Sequence, residues 1–200
     1  MESSLRQQAL QFYWINRSLE ALIKQLKRMT NKLIILTFLL FGFHSCQIAQ
    51  KGELFTIYLV RHSEKDLSSK NESDPHLTKC GKQRSESLSA FLEDVNLDAV
   101  YSTDYNRTIN TALPTANSKE LKIENYNPRD LVGFSKLLLN SKKDVLVVGH
   151  SNTTGVLAGI LAGEEIGEMD LDIYDRIYQV VVSNKNGRLH LFHSPFECEE

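Results

Sequence analysis

The sequence predicts an α/β domain of three layers, a mostly parallel central sheet with helices on both faces. Leu54 to Val60 and Val145 to Val148 are almost uninterrupted apolar runs, as expected of central parallel strands buried on both sides. Around them strand-like runs alternate with helical periodicity, without an internal repeat or a low-complexity tract. A histidine follows each run closely, His62 after Arg61 and His150 after Gly149. Open α/β sheets bind ligands where such strands end.

The elements follow in order. After the Leu54 to Val60 strand, Asp66 to Pro75 reads as a polar loop on the rim of a site, with Ser68, Ser69, Asn71, Ser73 and Asp74. Thr78 is placed to cap a helix running to about Val95, whose Leu88, Phe91, Leu92 and Val95 recur at i, i+3, i+4 and i+7. Asp98 to Ser102 reads as a second strand. Arg107 lies early in the next helix, which carries Ile109 and Ala112 and meets Pro114, and Leu121 to Glu124 reads as a third strand. Asn127-Pro128-Arg129-Asp130 is read as a helix start, with Asn as cap, Pro at the first position and Asp in the positive first turn. That helix is expected to bury Leu131, Phe134 and Leu138. Thr153 to Leu161 is the helix behind the Val145 strand. Tyr178 to Ser183 and Arg188 to Phe192 flank Asn184-Lys185-Asn186-Gly187, a hairpin signal.

Ahead of this body, residues 1–28 are either an N-terminal extension or the product of a mis-assigned start, since Met29 opens a complete signal by itself. Ile15, Leu19, Leu22, Ile23 and Leu26 would line one face of a basic amphipathic helix. Residues 29–46 have the basic head and short apolar core of a secretory signal, Leu33 to Phe43, too short to span a bilayer. Ser45-Cys46 ends that run in the manner of a bacterial lipoprotein signal, which makes Cys46 the candidate lipidation site and the membrane a partner through that anchor, with simple secretion or an uncleaved anchor as the alternatives. Residues 47–53 read as a tether, and residues 54–200 as the domain. Export to the periplasm or outer cell surface is the expectation. With Cys46 acylated, Cys80 and Cys198 remain, either as a disulfide or as two free thiols.

The formal net charge is −2. Residues 1–46 hold six Lys or Arg against two Glu, so the body carries 17 basic and 23 acidic side chains, which excludes a nucleic-acid footprint. No His-x-x-x-His or Cys-x-x-Cys spacing occurs, so no metal site is expected. Phosphoryl transfer needs a nucleophile, cations around the nonbridging oxygens and a proton for the leaving group. His62 can attack as a neutral imidazole; Arg61 and Arg107 offer planar forks that match phosphate oxygens; His150 adds a further donor. Ser63, Thr103, Ser151 and Asn152 are read as phosphate ligands, orienters of His150 or backbone caps. His76 is assigned to the rim loop, and His190 and His193 have no visible partners.

These motifs resemble the histidine phosphatase superfamily, in its phosphoglycerate-mutase-like branch with the small phosphohistidine phosphatases. Leu59-Val60-Arg61-His62-Ser63-Glu64 matches the Arg-His signature, and Leu77-Thr78-Lys79-Cys80-Gly81-Lys82-Gln83-Arg84 the Leu-Thr-x-x-Gly-x-x-Arg helix start. Thr103 to Ala112 matches the segment Ser-Asp-x-x-Arg-Thr-x-x-Thr-Ala, and Gly149-His150-Ser151 the Gly-His-Ser segment. The resemblance implies that His62 is the phosphorylated nucleophile, that Arg61, Arg107 and His150 clamp the phosphate, and that no cofactor is needed. It implies a carboxylate acid after the third strand, where Glu124 is the candidate, ahead of Glu64, Asp104 and Asp130. About 28 residues separate Ala116 from Val145, leaving no room for a long insertion over the pocket. An open site favours hydrolysis of small phosphomonoesters or a phosphoprotein, with a phosphomutase or a non-catalytic phosphate-binding module as the alternatives.

Overall fold

The computed structural model describes residues 22, 24–27 and 54–198. The chain divides into two compact units, Met1–Gln50 and Lys51–Glu200, and that boundary falls inside the stretch read as a tether. In the first unit Leu22 and residues 24–27 are helical with exposed side chains; the signal segment and Cys46 lie outside the described residues. Among the described residues no helix is long and apolar enough to cross a membrane.

The second unit is built on six strands: β1 (Leu54–Arg61), β2 (Ala99–Ser102), β3 (Ile123–Asn125), β4 (Val145–Gly149), β5 (Arg176–Ser183) and β6 (Asn186–His193). Their order across the sheet is β3-β2-β4-β1-β5-β6. The four strands from β3 to β1 are parallel, and β5 and β6 extend the sheet as an antiparallel hairpin. Four helices connect them, α1 (Lys79–Phe91), α2 (Asn106–Ser118), α3 (Leu131–Ser141) and α4 (Thr154–Ala162).

Strand side chains alternate between two cores, which is why the central runs had to be apolar throughout. Ile57, Leu59, Val145 and Val147 pack with Phe134 and Leu138 of α3 and Leu157 and Leu161 of α4. Val60, Val100, Leu146 and Val148 pack with Leu88 of α1 and Ala112 and Ala116 of α2. The result is the three-layer arrangement expected.

Several local expectations need correction. Helix α1 stops at Phe91, with Leu92 as its C-cap, and Phe91 is 46% exposed where the periodicity placed it in the core; Leu88 and Leu92 are buried there and Val95 packs against them half-buried. Helix α2, which meets Pro114 as read, runs through it to Ser118, because burial of Thr111, Ala112, Thr115 and Ala116 outweighs one missing backbone donor. Helix α3 begins later than expected. Asp130 is its N-cap and accepts from the Gly133 amide, whereas Asn127 accepts from the Arg129 amide in a turn just before. The third strand is Ile123–Asn125 instead of Leu121 to Glu124. The hairpin also turns on two residues instead of four: Asn184 and Lys185, at φ of 50° and 68°, make the turn, and Asn186-Gly187 already belong to β6.

Candidate active site

Strands β2, β4 and β1 are neighbours and end together, so three motifs distant in sequence converge at one sheet edge. Arg61 pairs with Gly149 in the β1–β4 register, and the His62 amide donates to the Gly149 carbonyl at 3.0 Å. The His62 and His150 rings lie edge to face with centroids 5.6 Å apart. Gly149 lets Tyr126, Thr153 and Thr154 close in behind this strand end, because a Cβ there would meet the Tyr126 hydroxyl at 2.7 Å. Arg107 arrives from the first turn of α2, directly after β2. Arg61, His62, Arg107 and His150 all line one cavity of about 340 Å³.

The hydrogen bonds fix the protons of both imidazoles. His62 Nδ1 lies 2.8 Å from the Ser63 carbonyl, which can only accept, so Nδ1 carries the proton and Nε2 keeps its lone pair. Burial, then the neighbouring Arg61, His150 and Arg107, push its pKa down to about 3, against a raising contribution from the Ser63 bond. The ring is neutral and nucleophilic at physiological pH. For His150, the Thr108 hydroxyl donates to main-chain carbonyls and accepts from Thr103 Oγ1, so Thr103 Oγ1 accepts from His150 Nε2 at 2.9 Å. Burial and the charges of Arg107, Arg61 and Lys65 lower this ring to about 4.

Each guanidinium is held by part of its donor set and free in the rest. Arg61 is buried, donates Nη1 to the Asp170 and Ile173 carbonyls, and lies 4.1 Å from the Tyr174 ring centre; burial lowers its pKa. Arg107 donates Nη1 to the Ser73 carbonyl, sits 3.7 Å from Asp74 and covers the Tyr105 ring. The buried Nε of both arginines has no partner. An unpaired buried donor costs on the order of 1–3 kcal/mol.

Other predicted residues divide. Thr103 orients His150, as one of its readings had it, whereas Ser63 turns inward, its amide donating to Thr111 Oγ1 and its hydroxyl bonding Ser85. Ser151 and Asn152 line the cavity. Glu124 is exposed on β3, opposite Tyr101 in the register, and does not line the cavity. Glu64 does not line the cavity and is bound to Arg84 at 2.7 Å. Asp130 caps α3, and Asp104 is exposed without capping α2; that role falls to Asp74 of the polar loop, whose oxygens accept from the Asn106 amide at 2.8 Å and from its side chain at 2.6 Å. None of the described residues lining the cavity is a carboxylate. His76 is exposed, His190 lies on β6, and His193 pairs with Asp175 at 2.8 Å, far along the chain from the clamp.

Sequence reasoning missed the segment between α4 and β5, which supplies the carbonyls and the Tyr174 ring that hold Arg61. Its one signal was Met169 in a polar stretch; Met169 is buried and its amide donates to the Ser151 carbonyl. It also missed Lys65 as a cavity residue. The helix-start motif, by contrast, has a structural meaning: Thr78 caps α1, Gly81 lets α1 lie against the Glu64 carbonyl, which a Cβ would approach to 2.3 Å, and Arg84 binds the Glu64 side chain. Cys80 and Cys198 form a disulfide across this region, which decides between the two states left open for them.

Residues 57–127 match the family model of the histidine phosphatase superfamily, branch 1. No curated protein matches the chain in sequence. Among solved structures, the protein histidine phosphatase SixA complexed with tungstate is similar at a TM-score of 0.62, with 21% identity, over 70% of this chain and 97% of that one. Phosphoglycerate mutase from Bacillus anthracis str. Sterne gives 0.52 with 17% identity, over 70% and 93%. A mycobacterial glucosyl-3-phosphoglycerate phosphatase gives 0.55 with 13% identity, over 70% and 98%. Residues 57–127 thus match the histidine phosphatase superfamily model, and the domain shares its fold with these solved structures.

Proposed function

We propose that this chain is a phosphatase that hydrolyses phosphate monoesters, of small molecules or of a phosphoprotein, through a phosphohistidine on His62. The observation that carries this reading is the convergence of Arg61, Arg107 and His150 on one cavity with a neutral imidazole, His62, whose Nε2 lone pair is free. In the first step His62 Nε2 forms a bond to phosphorus as the bond to the leaving oxygen breaks, with Arg61 and Arg107 taking the charge that builds on the nonbridging oxygens. In the second step water adds to phosphorus, the N–P bond breaks, and the electron pair returns to Nε2.

No carboxylate lines the described cavity, so this reading favours leaving groups that depart without a strong acid, such as phenolates. Hydrolysis is favoured over mutase chemistry, which must keep water from its intermediate; the exposed Leu171 and Asn152 on the cavity wall leave the mouth open to solvent.

The test uses the purified full chain with p-nitrophenyl phosphate and acid-quench-free mass spectrometry, since phosphohistidine is acid-labile. Wild type turns over and carries a phosphoryl adduct on His62. His62→Ala loses at least ~10³-fold in kcat. Equal turnover by both proteins would sink the mechanism. We further propose export and lipid anchoring through Cys46, supported by the signal-like segment 29–46 and by a disulfide suited to an oxidising compartment. Cys46→Ser then abolishes fatty-acid labelling in cells; undiminished labelling would exclude that anchor.

A further inference from the structure

The cavity holds more positive charge than one phosphate accounts for. Besides Arg61 and Arg107, it is lined by Lys65 and Arg129, with no carboxylate among its described residues. The body as a whole carries an excess of acidic side chains, so four cations in one concavity without an interleaved acid are not the average surface of this protein. A phosphate dianion is met by the two clamp arginines, of which Arg107 also sits 3.7 Å from Asp74, whereas Lys65 and Arg129 are further cations on the same cavity wall.

Neither of these two side chains forms an ion pair with a carboxylate among the described residues. Their backbones are nevertheless fixed. Lys65 is held three residues beyond His62 by an antiparallel bridge to Leu77, and it is near enough to His150 to help lower that ring's pKa. Arg129 sits in the turn made by Asn127, whose side chain accepts from the Arg129 amide and whose carbonyl accepts from the Asp130 amide just where α3 begins. Two positioned cations without partners at the mouth of an anion site focus the field on whatever enters. The same wall offers apolar surface, with Leu171 75% exposed beside Tyr105 and Pro128.

Resting on the phosphatase reading above, we propose that the preferred substrates carry a second anionic group on the leaving group, which Lys65 and Arg129 hold while the Leu171 side of the cavity packs against the organic portion between the two anions. A carboxylate and a second phosphate satisfy this chemistry alike.

Three substrates with related phenolic leaving groups test it: phenyl phosphate, 4-carboxyphenyl phosphate and 1,4-phenylene bisphosphate. The quantity read is the ratio of kcat/KM for each anionic substrate to that for phenyl phosphate, in the full chain and in Lys65→Gln, Arg129→Gln and the double variant. Dividing by phenyl phosphate and comparing proteins cancels intrinsic reactivity and any general loss of activity. The ratio is expected to fall about tenfold in the double variant, with each single variant between, and to shrink in wild type as salt is raised. A fall confined to 4-carboxyphenyl phosphate assigns the subsite to a carboxylate; one confined to the bisphosphate assigns it to a second phosphate. Turnover of all three substrates with a ratio indifferent to both substitutions would overturn the inference and leave the phosphatase reading standing. No turnover of any of them, with no adduct on His62, would overturn both.

Discussion

His62 and His150 are both neutral rings in the free pocket, yet their protons sit on opposite nitrogens. His62 spends Nδ1–H on the Ser63 carbonyl and so aims chemistry through Nε2; His150 spends Nε2–H on Thr103 Oγ1. Donation from His150 Nδ1 to a phosphate oxygen therefore requires a second proton on the ring, which the arriving anion favours by opposing the charges of Arg107 and Arg61. Thr103 is thus a positioning residue: its hydroxyl fixes the tautomer and ring plane of His150 without reaching the substrate. Thr103→Val removes the acceptor while keeping the volume. It is expected to lower kcat ~5–10-fold, the worth of about one hydrogen bond, with a smaller change in KM and with activity restored in Thr103→Ser. Steady-state kinetics on p-nitrophenyl phosphate checks this. A loss in Thr103→Ser equal to that in Thr103→Val would show that packing, not the hydroxyl, matters.

At the scale of elements, α1 is fastened to the nucleophile loop by several independent devices. Thr78 caps the helix and its amide donates to the Glu64 carbonyl, Gly81 packs on that same carbonyl, Arg84 binds the Glu64 side chain, and the Cys80–Cys198 disulfide ties in the C-terminal strand exit. Arg84 also donates to the Phe196 carbonyl, so the last residues form a strap across α1. The disulfide spans 118 residues, and in the chain-entropy account closing so long a loop is worth about 4–5 kcal/mol. Cys198→Ser is expected to lose about that much in urea unfolding. Reductant should bring wild type to the variant's midpoint and leave the variant where it is; an unchanged wild-type midpoint under reductant would show that the crosslink contributes nothing. These elements were legible in unequal degree. The central strands, the hairpin and the Arg61, His62, Arg107, His150 constellation could be read because burial on both faces and strand-end chemistry leave local marks. The true cap of α3, the passage of α2 through Pro114 and the exposure of Phe91 are decided by packing partners distant in sequence. So is the displacement of Glu124 from the cavity: a three-residue edge strand leaves its side chain opposite Tyr101, and nothing local to Leu121–Asn125 records that.

For the whole molecule, the site is stored at a cost that pH reveals. The folded rings of His62 and His150 take up protons only near pH 3 and pH 4, whereas in the unfolded chain each does so near the ordinary value of 6.5. With the folded pKa depressed, the stability associated with each neutral ring is fully present above pH 6.5. As pH falls below that, the unfolded state binds protons that the native state refuses, and stability drops by up to about 1.4 kcal/mol per pH unit for each ring. Asp66 and Asp175 are also held below their ordinary value, by the Ser68 and His193 hydrogen bonds respectively, but their contribution is lost only at lower pH, from about 3.8 downward. The interval between about pH 4 and 6.5 therefore belongs to the two histidines. An oxyanion in the pocket reverses the sign locally, since its charge is opposite to those of Arg61 and Arg107 and it favours the protonated ring of His150. Sulfate is the suitable probe, being a dianion throughout this range. Urea midpoints at pH 8 and pH 5, with sulfate or with chloride at matched ionic strength, are expected to show wild type losing stability on acidification and sulfate restoring more of it at pH 5 than at pH 8. In His62→Ala/His150→Ala both the acid loss in this interval and the pH-dependent part of the sulfate effect should disappear, leaving only the general salting effect common to both pH values. If the double variant loses as much stability as wild type between pH 8 and pH 5, the neutral, buried imidazoles are not what the fold protects, and the proton assignments on which the nucleophile rests fall with them.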